Sequence, residues 1–171
     1  AFQFNGGSGS IEINPNNSST ANTYWNSPTS QSTTCWFQWT SDSGREVLIS
    51  RYTSSMQQWN QIVDPGREFH YNSSGVISGA SGDLNATYFN LNTWHLMHKV
   101  YNVSDGTFRW YIDGSQVVST TPGTDSGNGL SGYSNNTTGY SIGSRTDNSE
   151  TFNNGYVAEA RHYSRALTST E

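Results

Sequence analysis

Short apolar or alternating runs recur along this chain, cut apart by clusters of Gly, Asn, Ser and Asp, and no convincing helical pattern precedes the last few residues. That punctuation belongs to an all-β sandwich or barrel. Residues 2–4 and 10–13 read as an opening pair of strands split by Asn5-Gly6-Gly7. Strands are predicted at 35–39 and 46–50, and at 59–63 and 68–71, the last two linked by the turn formers Asp64-Pro65-Gly66. Residues 94–101 and 107–112 form a predicted hairpin closed by Asp105-Gly106, and Asp113-Gly114 turns the chain into 116–120. The final strands fall at 140–143 and 152–163. Thr168 and Glu171 have capping-box spacing, so a helix start is expected there.

Alternation assigns faces. Phe108, Trp110 and Ile112 share one side of their strand, and Arg109 and Tyr111 share the other. Many antiparallel strands with one apolar face each make two stacked sheets. The 171 residues suit a single domain spanning 1–171.

Charge narrows the partners. Only 12% of residues are charged and the formal net charge is −5. The eight basic residues are scattered, which excludes a phosphate-neutralising surface and hence nucleic acid as partner. No apolar run is long enough to insert in a membrane as a helix. Lys99 is the single lysine, and polarity comes from Asn, Ser, Thr, Gln and Gly, a composition that suits an extracellular, secreted or virion surface. The first residues already read as a strand, so a removed leader or a module cut from a longer, multidomain parent is expected. Cys35 is the only cysteine, flanked by Thr34 and Trp36, and reads as a buried, inert thiol.

Several segments together resemble one family. Trp94-His95-Leu96, Tyr101, Asp105-Gly106-Thr107 and Trp110-Tyr111-Ile112-Asp113-Gly114 are similar to the central motif of laminin-G-like, concanavalin A-like modules. Phe4-Asn5-Gly6 resembles their opening turn, and Cys35 to Trp39 their Trp-bearing third strand. Glu159-Ala160-Arg161 through Arg165-Ala166-Leu167 resembles their last strand and closing turn. The resemblance implies a two-sheet antiparallel jelly roll. It implies Trp39, Trp94 and Trp110 in the core, and Glu159 with Arg161 as an ion pair tying the last strand to the closing turn. It also implies a rim calcium, although Asn5 and Ala158 stand where the family pattern has acids. Oxygen-rich loops remain at Asp83 and Asn85, at 125–128, and at Asp147 and Asn148, as candidate ligands.

The fold hosts lectins, adhesion modules, hydrolases and lyases, so function must come from the site. Jelly-roll glucanases align Glu-x-Asp-x-Glu on one strand, because period two puts all three carboxylates in one cleft. No such triplet occurs here, and the lyase pattern survives only as fragments around Arg45 and Gln61. No Gly-x-Ser-x-Gly elbow is present. His95 and His98, three apart on a strand, point to opposite faces and cannot share a metal. His70 and His162 stand alone.

A carbohydrate-binding module is therefore expected, recognising a glycan or polysaccharide. Rings stack on the C–H faces of a sugar, and amides, carboxylates and hydroxyls bond its hydroxyls. Aromatics read as lying in polar segments are the ligand candidates: Tyr24 and Trp25, Trp59 among Gln57, Gln58, Asn60 and Gln61, and Tyr133 with Asn135. A structural or protein-adhesion module of a fibre or filament is the alternative, and a lyase or glycoside hydrolase the second.

Overall fold

The computed structural model describes residues 1–4, 11–13, 30–41, 46–53, 56–63, 67–72, 75–81, 89–102, 104–105, 107–120, 140–144, 152 and 154–171. Among them all regular structure is β. The strands are β1 (Phe2–Phe4), β2 (Ile11–Ile13), β3 (Gln31–Trp39), β4 (Glu46–Thr53), β5 (Met56–Val63) and β6 (Arg67–Asn72). They continue as β7 (Gly75–Ser81), β8 (Trp94–Asn102), β9 (Thr107–Ile112), β10 (Ser115–Thr120), β11 (Tyr140–Ile142) and β12 (Gly155–Tyr163). A six-stranded sheet runs β1-β12-β3-β8-β9-β10, a four-stranded sheet β2-β11-β4-β5, and β6 pairs with β7. All pairings are antiparallel.

The two large sheets stack face to face. Phe4, Cys35, Phe37, Trp39, Met97, Tyr101, Trp110, Ile112 and Val157 come from the six-stranded sheet. Leu48 and Ile49 meet them from the four-stranded sheet, with Ile11 and Ile142 packed against the cluster. This is the expected jelly-roll sandwich. Trp110 and Tyr101 are wholly enclosed, and each large ring removed from water contributes about 1.5–3 kcal/mol or more. Cys35 is fully buried, and burial pushes its thiol up to about 12, so it is inert as expected. Lys99, also fully buried, lies across from Trp110 with its ammonium 5.7 Å from the ring centroid, and desolvation holds its pKa well below the usual range.

Three expectations change. The opening strands do not pair with each other. β1 joins β12 and β2 joins β11, so Phe4 and Ile11 enter the core from opposite sheets. β7 escaped notice because Gly75, Ser78, Gly79, Ala80 and Ser81 carry no aromatic or alternating signal. The described end of the chain is a turn rather than a helix. Thr168 N–H donates to the Glu171 carboxylate at 3.0 Å, as in a capping box, but the Thr168 hydroxyl also turns to that carboxylate, at 3.1 Å.

Positive φ values shape the chain just after β9 and just after β11. Asp113 and Gly114 have φ of 50° and 80°, the paired positive values that a type I′ hairpin requires. Gly143, at φ 81°, donates its N–H to the Leu48 carbonyl at 2.9 Å and lies against the Phe4 ring, where a methyl would collide. Gly143→Ala is expected to cost about 1–3 kcal/mol through left-handed strain and overpacking, read as a lower urea midpoint with unchanged slope. An unchanged midpoint would show that the ring moves aside freely.

Candidate functional site

Period two decides what the six-stranded sheet shows to solvent. Along β3, Cys35, Phe37 and Trp39 are buried, so Thr34, Trp36 and Gln38 face out. Along β8, Met97 is enclosed while Trp94, Leu96 and His98 face out. On β9, Tyr111 takes the outer side opposite buried Trp110 and Ile112. The register sets these side chains in three rows. Tyr156, Gln38 and Trp94 form the first, Ala158, Trp36 and Leu96 the second, and Arg161, Thr34, His98 and Tyr111 the third.

A bulge makes the third row possible. Between Ala158 and Arg161, β12 spends one more residue than β3. Glu159 absorbs it at φ 49°, a sparsely populated conformation for a non-glycine residue. Ala160 consequently packs on the core, and Arg161 keeps the outer side. Glu159 and Arg161 meet at 3.3 Å, both largely exposed, so the expected ion pair forms. It does not tie the strand to the closing turn.

The closing turn is tied by other atoms. Leu167 N–H donates to the Ser32 hydroxyl at 2.9 Å, and Leu167 is buried. Arg165 grips Glu171 with two bonds, 2.9 and 2.6 Å. Residues 167–171 thus bank against the outer sheet face. Between this bank and Trp36 lies a cleft of about 350 Å³, lined by Trp36, Leu96, His98, Tyr111, Arg161 and Tyr163 among others.

His98 stacks beside Tyr111, ring centroids 5.6 Å apart, and burial lowers its pKa. Its Nε2 is enclosed with no hydrogen-bond partner among the described residues, a polar atom that gains from an incoming hydroxyl. His95 behaves oppositely, and the two do point to different faces. His95 Nε2 accepts from Asn90 N–H at 3.1 Å, a network that assigns the proton to Nδ1, which donates to Asp113 at 2.7 Å. The other Asp113 oxygen accepts Leu96 N–H at 2.8 Å. The Trp-His and Asp-Gly segments are thus a turn lock with its polar atoms engaged. His162 bonds the Thr33 hydroxyl at 3.1 Å.

Of the residues singled out from sequence, Trp39 and Trp110 are core. Trp94 is not: it is 38% exposed, because it has the parity of Leu96 and His98, and it lies on Tyr156 at 6.3 Å between centroids. Trp59 sits within β5, opposite Arg51, in the strand expected at 59–63. Tyr24, Trp25, Tyr133 and Asn135, and the calcium candidates Asp83, Asn85, Asp147 and Asn148, lie outside the described residues. Among the described residues no cluster of three His, Cys, Asp or Glu could hold a metal. Sequence reasoning passed over Trp36, although the alternation of Cys35, Phe37 and Trp39 already sets it outward.

A family model described as the concanavalin A-like lectin/glucanases superfamily, laminin-G type, matches residues 5–171. The chain belongs to this superfamily. Solved structures agree on the fold. The binding domain of botulinum neurotoxin serotype D superposes with a TM-score of 0.66 at 16% identity, covering 98% of this chain and 39% of that one. A type C neurotoxin structure, whose cell entry is described as dependent on two ganglioside molecules, gives 0.65 at 12%, over 94% and 37%. The type DC binding domain in complex with SialylT gives 0.65 at 13%, over 94% and 37%. The superfamily chain described here therefore spans under two fifths of those chains. No curated protein sequence matches it.

The tail bank carries a pH prediction. The Arg165 guanidinium, helped by Thr168 N–H, pulls the Glu171 carboxyl from 4.5 down to about 2. A depressed acid stabilises above its ordinary pKa and loses that contribution as pH falls through the depressed one. Carboxyl-carbon NMR should show Glu171 titrating near pH 2. Titration near 4.5 would mean that the Arg165 clasp is not formed in solution.

Proposed function

We propose that this superfamily member is a non-catalytic carbohydrate-binding module of a secreted or surface protein, with the outer-face cleft beside Trp36 as its glycan site. One observation carries the reading. Trp36, in mid-strand, leaves 37% of its surface in water beside a cleft edged with histidine, tyrosine, hydroxyl and guanidinium groups. With Leu96 opposite it and Trp94 diagonal to it, the ring belongs to a contiguous apolar patch, the kind of surface that marks an interaction site. The polar wall supplies hydroxyl partners, the combination that sugars require. The ganglioside and SialylT ligands named for the neurotoxin structures support glycan recognition on this fold.

Hydrolysis is disfavoured by the carboxylates. Glu159 and Glu171 are the acids described around the cleft, and each faces an arginine. Glu171, held ionised far below neutrality, is unsuited to donate a proton to a leaving group, so these two acids do not supply an acid and nucleophile pair at the cleft. Calcium held by Asp83, Asn85, Asp147 and Asn148 belongs to the same reading, and a melting temperature lowered by EDTA and restored by calcium would support it, whereas no change would remove it.

A glycan array followed by titration calorimetry tests the site. Trp36→Ala is expected to weaken glycan binding at least about tenfold, the scale of one lost aromatic contact, with an unchanged melting temperature. Normal binding by Trp36→Ala would move the site elsewhere. Absence of binding to any glycan would favour a structural or protein-adhesion module.

A further inference from the structure

Resting on that reading, we infer that the outer sheet face takes an internal segment of a neutral, straight polysaccharide laid from Tyr111 past Trp36 to Trp94. Two observations carry this.

The first is the shape of the aromatic surface. Trp36 sits opposite Leu96, and Trp94 is two residues along from Leu96, so the two tryptophans are diagonal neighbours. Such neighbours are about 7–8 Å apart across a sheet. Both remain exposed, at 37% and 38%, and Leu91 beyond them is 39% exposed. The Gln38 amide donates to the Asn92 carbonyl at 2.7 Å and holds that loop beside Trp94. From the row of Tyr111 to the row of Trp94 there are four residues of β8, about 14 Å of strand. A single sugar ring cannot cover that length. A chain linked through equatorial bonds runs straight and offers C–H faces to successive rings. An axially linked chain curls away.

The second is charge. Every arginine described on this sheet face or its closing turn already holds a carboxylate: Arg161 with Glu159, Arg109 with Asp105, and Arg165 with Glu171. Lys99 is enclosed in the core. The three arginines described on this face and its closing turn therefore each have an acid partner, and binding a uronate, sialate or sulfate there would compete with those pairs and set the ligand against Glu159 and Glu171. A neutral chain meets neither cost.

The test uses the whole 171-residue chain and β-1,4-linked oligosaccharides of glucose, xylose and N-acetylglucosamine, two to six units long, with oligogalacturonate as the acidic comparison. Affinity for a neutral series should rise with length, by about tenfold for each added aromatic contact, and should not change between low and high salt. Trp94→Ala should cost the hexasaccharide about tenfold and the disaccharide less. Affinity independent of length would overturn the proposal, as would a preference for oligogalacturonate that salt abolishes, or failure of all three neutral series. Each would do so while a positive glycan array left the glycan-binding reading intact. The wild-type length series decides the matter even if Trp94→Ala does not fold.

Discussion

The alternation of Cys35 to Trp39 on β3 and of Trp94 to His98 on β8, at the centre of the six-stranded sheet, governs everything else. Cys35, Phe37, Trp39 and Met97 must be enclosed for the sandwich to have a core. Once they are, geometry leaves no choice about Trp36, Trp94, Leu96 and His98, which stand on the opposite face. The core and the candidate site are two sides of the same strands. A one-residue slip of β3 would drown Trp36 and expose Phe37 together.

The neighbouring strand breaks that alternation once, where the break changes the surface. The bulge at Glu159 turns Ala160 inward and lets Arg161 and Tyr163 share the cleft with Trp36. It is paid for in backbone strain at a non-glycine residue, a pattern that marks functional sites more often than plain structural ones. The banked residues 167–171, clasped by Arg165 and anchored through Ser32, close one side of the cleft. The outcome is a cleft floored by the side chains of β3 and β8 and edged by β12 and the closing turn.

Much of the fold was legible because its signals are local. Strands read from alternation, the Asp113-Gly114 turn read from its residue types, and the family motifs all match the observed sandwich. The opening strands were misassigned to one hairpin because nearness in sequence does not reveal which sheet a short strand joins. The Trp-His motif explains another error. His95 is truly a core residue, bound to Asp113, and its motif neighbour Trp94 was carried into the core with it although its parity is opposite. The cleft was not legible, since it needs three rows in register, a bulge, and a turn contributed by residues more than 130 positions from Ser32. Sequence drew attention to aromatics in polar segments, whereas the described exposed tryptophans belong to strands, Trp36 within β3 and Trp94 at the start of β8.

Tryptophan oxidation mapped by mass spectrometry, with and without bound polysaccharide, tests the location of the site most directly. Free protein should be oxidised at Trp36 and Trp94 and spared at Trp39 and Trp110, and bound polysaccharide should protect Trp36. Protection confined to Trp25 or Trp59, with Trp36 oxidised as fast as before, would contradict the outer-face site and return the ligand to the segments first suspected from sequence.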